Sequence, residues 1–284
     1  MKYLTKEWYD ITQRAALNTM YKTSKKAETF SEEYFEMLYK REEKKWLKLQ
    51  KEVSELTFDD IYPEEFYIEE DDDFPLDGVE LEEAKKAYFE EREAARADFE
   101  EAPPFDPELE KENFRAFNQS TVDELKEYLP EEILRKVADI RVLALGYATA
   151  EVKRDIKEYR KKQLSIVTSA MKEYEKEYKR QFRSGSPSFA EELELHDCLV
   201  VSCRKKGKNV VMTLDNSSGF TDIREVKFKN CTVIKQDARL RGAWMLYKEI
   251  YKAGKRYEIH LLLQKDEQLI DYIVEADDVE LKHG

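Results

Sequence analysis

The sequence predicts an α+β fold: a helical N-terminal region over residues 1–184, followed by a mainly antiparallel β-sheet domain over 188–284. Two observations carry this. Apolar residues recur at helical spacing through the first region and alternate along the chain in the last. The breaker "RSGSPS", Arg183 to Ser188, falls where the period changes, and 284 residues suit two domains better than one.

Each element follows from local chemistry. Thr5 can cap a first helix carrying Trp8, Ile11, Ala15 and Leu17. Ser31 can cap a second, whose stripe runs through Phe35, Leu38, Tyr39, Trp46, Leu49, Val53 and Leu56. Two prolines, a glycine and a dense acidic run then predict a loop or hinge over 57–78, containing Asp71, Asp72 and Asp73. A helix over Val79–Glu101 stops at Pro103 and Pro104, and Asp106 with Pro107 starts the next. "TVDE", Thr121 to Glu124, has capping-box spacing, and Pro130 opens a further helix. The longest helix is expected over Ala148–Arg183, with Lys153, Lys157, Arg160 and Lys161 as a basic face. Beyond Phe189, alternation predicts a strand from Leu195 to Cys203, a turn at Lys206–Lys208 and a strand through Val210, Met212 and Leu214. Four more follow, at Ile223–Val233, Trp244–Tyr251, Lys255–Leu263 and Gln268–Glu275.

Composition narrows the function classes. Charged residues reach 39% against 41% apolar, which confines apolar residues to narrow stripes with wide solvated faces. Three cysteines are too few and too unevenly spaced for a disulfide framework. The opening "MKYLTKEWYDITQR" has no apolar run, nor is there a membrane-spanning stretch later, so a cytoplasmic setting with no membrane role is expected. A net charge of −13 argues against nucleic acid as partner, because neutralising phosphates takes surplus lysine and arginine. Charge is unevenly spread: Phe58–Glu112 holds 23 acidic and 5 basic residues, whereas Arg135–Arg183 holds 14 basic and 7 acidic. One part can therefore pair with another, or with a basic protein.

Candidate chemistry is sparse. "LELHDCLVVSC" places His196, Asp197, Cys198 and Cys203 together, but on a strand His196 and Asp197 face opposite ways. A metal site there needs His260, from "YEIHLLL", on a paired strand, and no metal-ligand spacing supports it. Glu275, Asp277 and Asp278 in "EADDVEL" offer clustered carboxylates for acid–base work or a divalent cation, but equally mark a solvated strand edge. His283 is expected to fray. The cysteines read as small core residues. With Gly78 as the loop glycine, a calcium-binding loop would place Pro75 and Ala84 at ligand positions, which fails. Phosphate loops, nucleophile elbows and HExxH are missing, so no catalytic residue and no cofactor is expected. Trp244, Tyr247 and Tyr251 alternate with Lys248 and Glu249, so some can form an exposed anchor for a partner.

The segments "MKYLTKEWY", "GFTDIREVKFKNC", "GAWMLYKEIY", "YEIHLLL" and "EADDVEL" resemble an uncharacterised family of Gram-positive bacterial proteins, domain-of-unknown-function family 4085. "LHDCLV" and "VKFKNC" are similar to strands of β-rich toxin-immunity domains, which act by covering a toxin's active surface. The resemblance implies a bacterial cytoplasmic protein, and the leading expectation is non-catalytic binding of a basic protein, immunity-like in manner. A metal-assisted hydrolase using His196, His260 and the Asp277 region is the alternative. A self-associating structural role for the long helix is a third.

Overall fold

Side-chain caps start the early helices. The computed structural model describes residues 1–65 and 78–284, with Gly78, Val79, Glu80 and Glu83 as backbone only. Helix α1 (Lys6–Ala16) begins where Thr5 accepts the Trp8 N–H, and strand β1 (Lys22–Thr23) follows. Ser31 accepts the Tyr34 N–H to start α2 (Glu32–Ser54). Thr57 and Asp60 form a reciprocal capping box on α3 (Phe58–Ile61), so the segment expected as loop opens with a helical turn. After α4 (Gly78–Glu101), Asp106 accepts from the Glu108 and Leu109 N–H groups and Pro107 occupies the first turn of α5 (Pro107–Tyr128). The expected capping box at Thr121 is not formed. No glycine or proline interrupts residues 108–128, the helix runs through, and the Thr121 hydroxyl donates back to the Phe117 carbonyl. The single helix expected after Pro130 is two short ones, α6 (Glu131–Leu134) and α7 (Ile140–Ala144). Strand β2 (Tyr147–Ala148), the long α8 (Ala150–Gln181) and α9 (Ser188–Glu192) complete the helical part.

The chain forms two compact units: Met1–Thr19 with Arg154–Gly284, and Met20–Lys153. The stretch 184–188 lies inside the first, where Phe182 and Phe189 share one core with the strands. In the second, β1 pairs with β2 in parallel, and Leu38, Val142 and Tyr147 form a core. Arg141 forks onto the Glu32 carboxylate at 3.0 and 2.7 Å while its guanidinium lies over Phe35.

The strands of the first unit are β3 (Leu199–Lys206), β4 (Asn209–Asp215), β5 (Ile223–Lys229), β6 (Thr232–Gln236), β7 (Trp244–Ala253), β8 (Arg256–Lys265), β9 (Gln268–Ala276) and β10 (Asp278–His283). They form one eight-stranded antiparallel sheet in the order β10-β5-β4-β3-β7-β8-β9-β6. The strand expected over Ile223–Val233 is broken at Asn230, whose φ of 47° turns the chain, into β5 and β6. Strand β10 lies beyond the last strand expected.

These corrections have one cause. Chains β5–β6 and β9–β10 are two kinked ribbons: β5 pairs with β10 and β6 with β9, while β4 flanks one half and β8 the other. The kinks carry the sheet round on itself as in a small barrel. Its inner face is filled by Val200, Met212, Phe228, Ile259, Tyr272 and Val274, all buried. Strand β3 meets β7 only at Leu199–Trp244, so the wall has a seam there.

The outer face of β7 holds the N-terminal segment through one carboxylate. Glu249 is fully buried and accepts the backbone N–H groups of Lys2 at 2.7 Å, Tyr3 at 2.8 Å and Leu4 at 2.6 Å, with the Tyr251 hydroxyl at 2.9 Å. Leu4 and Trp8 then pack on Val167 of α8, and the Trp8 indole donates to the Val167 carbonyl at 3.3 Å. Arg160 donates to the Ala15 carbonyl at 2.8 Å, capping the end of α1. Glu249→Ala strands these donors in a buried site, and denaturant unfolding is expected to show a loss of about 3–5 kcal/mol. Glu249→Gln, which keeps an acceptor oxygen, loses less. A second expectation concerns Gly219, where a Cβ would stand 2.7 Å from Cys198 Sγ and 3.1 Å from the His196 carbonyl oxygen. Gly219→Ala therefore overpacks by about 1–3 kcal/mol. Adding Cys198→Ala restores part of that in thermal melts.

Candidate functional site

The seam beside β7 builds the candidate site. Strand β7 carries a bulge at Leu246: Met245 pairs with Leu263 and Tyr247 with Leu262. Before it, Asp197 N–H donates to Met245 O and Met245 N–H to Cys198 O, which closes the seam. Beyond it, the edge of β7 that faces away from β8 is served by side chains. Ile250 N–H donates to the Tyr174 hydroxyl oxygen at 2.8 Å, and Lys252 N–H to Gln181 Oε1 at 2.7 Å, both on α8. Lys248 Nζ donates to the carbonyls of Ala190 at 3.1 Å and Leu193 at 2.7 Å and pairs with Glu194. Helix α8 and residues 190–196 thus stand where a further strand would pair, and side chains satisfy the edge amides.

A helix cannot fill a strand's place flush, and a groove of about 730 Å³ remains, open along one side. Its floor is apolar: Leu193, Leu195, Met245, Leu246, Ile250 and Leu261. Met171, Tyr174 and Tyr178 form the α8 wall, with Met171 48% exposed, and Leu4 closes one part. Glu175, Glu191, Glu194 and Lys172 border it. Burial pushes the Tyr174 and Tyr247 hydroxyls above the ordinary phenol pKa, so both stay protonated.

His196 also lines the groove. It lies in a turn before β3, not on a strand, because Asp197 adopts a φ of 63°. The turn reverses the expected opposition of the two residues: His196 Nδ1 and Asp197 Oδ2 are 3.0 Å apart. The imidazole stands edge-on to the Tyr247 ring, centroids 5.5 Å apart.

The other candidate residues are distributed differently. His260, buried on β8, hydrogen-bonds Glu258 at 2.7 Å and lies 3.6 Å from Glu249; it shares no partner with His196. Glu275 and Asp277 are held by Arg256, and Asp278 by Lys229. Among the described residues no group of three or more His, Cys, Asp and Glu is arranged to hold a metal ion. The bulge and the N-terminal segment divide the β7 aromatics. Trp244 is 41% exposed, Tyr247 is half-buried against Trp8, and Tyr251 is buried beneath the Lys2 ammonium. Asp71, Asp72 and Asp73 lie outside the described residues. His283 is not frayed: it pairs with Ile223 in β10 and contacts Asp222 at 2.7 Å. Burial raises the thiol pKa of Cys198 and Cys203, and that of Cys231 to about 11, which keeps all three protonated.

On the basic face of α8, Lys153 donates to the Tyr21 carbonyl and Arg160 to that of Ala15. The α8 wall of the groove was not foreseen. Its one signal is the Met245–Leu246 pair, two successive apolar residues that break the alternation of β7 and mark the bulge.

Burial holds the His260 pKa below the ordinary histidine value, against the opposing pull of Glu258. The folded state therefore favours neutral imidazole, and the unfolded chain binds the extra proton first. Stability is expected to fall as pH drops below about 6.5, by no more than ~1.4 kcal/mol per pH unit from this group. His260→Gln, compared with the parent in urea titrations between pH 7.5 and 5.5, removes that slope.

Comparison with curated proteins and with solved structures finds no match. Residues 79–270 match the family described as "Protein of unknown function (DUF4085)", a span that takes in α8, the seam and most of the groove. With well over half its length in that match, the chain belongs to this family of proteins of unknown function.

Proposed function

We propose that this protein is a non-catalytic protein-binding module of the bacterial cytoplasm, and that it takes apolar side chains of a partner into the groove between α8 and β7. The single observation that carries the reading is the groove itself: a buried apolar floor beneath an α8 wall on which Met171 is exposed. Apolar concavities of this kind are a usual place for binding. Residues 20–153, which hold 38 acidic and 20 basic residues, favour encounter with a basic partner. The similarity of "VKFKNC", whose first four residues end β5, to a strand of immunity domains supports an immunity-like action, in which the protein covers a partner's surface and performs no chemistry. The resemblance to a Gram-positive family supports the bacterial setting, and no described helix is long and apolar enough to cross a membrane.

In-cell photo-crosslinking from a benzoyl-phenylalanine placed at position 171 or 191 tests this, with position 234 on β6 as the control. The expected result is one protein joined from both groove positions and not from the control, and lost in a Tyr178→Asp background. Equal labelling from all three positions, or none from the groove, overturns the proposal.

A further inference from the structure

From the outer face of β3, we infer that this protein binds single-stranded nucleic acid, with a base stacked on Trp244 and the phosphate backbone carried along Arg204, Lys206 and Lys208. The surface is separate from the groove, which neither Trp244 nor these cations line.

Strand pairing puts these side chains on one face. Val200 and Leu214 are partners and both point into the core, so Leu199 and its partners Asp215 and Trp244 point outward. The register shift between Val200 and Ser202 adds one residue, Val201, which is 43% exposed. Cys203 then faces the core opposite Met212, and Arg204 and Lys206 face out opposite Val211 and Asn209. From Leu199 to Lys206 this face runs about 23 Å, at ~3.3 Å per residue. Past residue 200 the edge of β3 away from β4 pairs with no strand among the described residues.

Aromatic groups stand at the start of this face. Trp244 is 41% exposed, and Phe220 is 91% exposed beside Gly219, which abuts Cys198 just before the strand. Cations stand at its end. Arg204, Lys205, Lys206 and Lys208 surround the turn at Gly207, all exposed, and among the described residues none of their side chains forms an ion pair. The carboxylates across the same face have partners of their own: Glu280 pairs with Lys227, Asp278 with Lys229, Asp215 accepts the Ser217 N–H, and Glu225 stands in register with Lys282. A nucleotide strand repeats a phosphate and a flat base at every step, which answers both halves of the face. An acidic peptide answers only the cations, and a duplex keeps its bases stacked on each other.

The net charge that argues against nucleic acid belongs to another part of the chain. Residues 20–153 hold 38 acidic and 20 basic residues, whereas residues 1–19 and 154–284 hold 24 acidic and 29 basic. Salt screens exposed charges farther apart than about 10 Å at 0.1 M, so the cations beside the strand set the interaction.

The test titrates the full chain into a labelled oligothymidylate of about 12 nucleotides, a length in the range that small β-barrels cover. Fluorescence anisotropy reads affinity, and tryptophan quenching reads stacking. Saturable binding is expected, with a slope of log affinity against log salt of about −2, from three phosphate contacts at ~0.7 each. Trp244→Leu is expected to weaken binding about fivefold or more and to remove the quenching although Trp8 and Trp46 remain, whereas Trp244→Phe, which keeps a ring, loses less affinity. Arg204→Glu with Lys206→Glu is expected to weaken it about tenfold or more and to flatten the salt slope.

Absence of saturable binding at low salt overturns the inference. So does an affinity that Trp244→Leu leaves unchanged, which would make the face a plain electrostatic patch. Competition by polyglutamate, or by a duplex of the same length, as effective as that by unlabelled oligothymidylate overturns it too, in favour of an acidic protein or of backbone contact alone.

Discussion

A single buried carboxylate organises the first unit. Glu249 sits on the outer face of β7 at a place where alternation calls for a side chain to be covered, and ionised oxygens cannot be covered by apolar groups without large cost. Three successive backbone N–H groups of residues 2–4 and the Tyr251 hydroxyl meet that demand. Their convergence draws the N-terminal segment across the sheet and seats Leu4 and Trp8 against α8. The sequence-distant ends of this unit are therefore joined by hydrogen bonds that a charged acceptor strengthens, and not by apolar contact alone.

The same strand explains why the unit has a groove. A sheet carried round by two kinked ribbons must close somewhere, and here the closure is short: β3 and β7 share the pair Leu199–Trp244, flanked by backbone hydrogen bonds from residues 197–200 to 242–245. The bulge at Leu246 turns β7 away from β3, and the amides left on its edge need acceptors. Tyr174 and Gln181 provide them from α8, while Lys248 ties residues 190–194 to β7 from the other side. A helix and an irregular segment packed on a strand edge leave space that a strand would have filled. The site is thus a consequence of how the sheet closes, and Met245, Ile250 and Leu261 of its floor belong to the buried core of the sheet.

Much of the fold was legible locally. Thr5, Ser31 and Asp106 start helices where their side chains reach free N–H groups, and alternation found the strands around Val210, Ile259 and Val274. Thr121 misled, because capping-box spacing says what a side chain can do at a helix start and nothing about whether the helix has already begun. Asn230 reads as strand in the sequence, since one left-handed residue among alternating neighbours leaves no mark on the pattern. At His196 and Asp197 the sequence implies opposite faces of a strand, because a turn with φ of 63° at an aspartate looks, in sequence, like continued alternation. The site was the least legible part. Its walls come from residues 168–178, 190–196 and 245–250, and no spacing along the chain connects them.

What the sequence determined by itself is therefore whatever depends on near neighbours: the α+β class, the helix starts, the strand faces and the strong acidity. Hydrophobic period and capping are local, and they survive in any arrangement of the elements. Tertiary structure alone decided that two strands would kink and close the sheet, that Glu249 would be met by the N-terminal amides, and that a helix would complete the edge of β7. Each depends on hydrogen-bond partners separated by tens to hundreds of residues, whose pairing is set when the chain must satisfy every buried polar group at once.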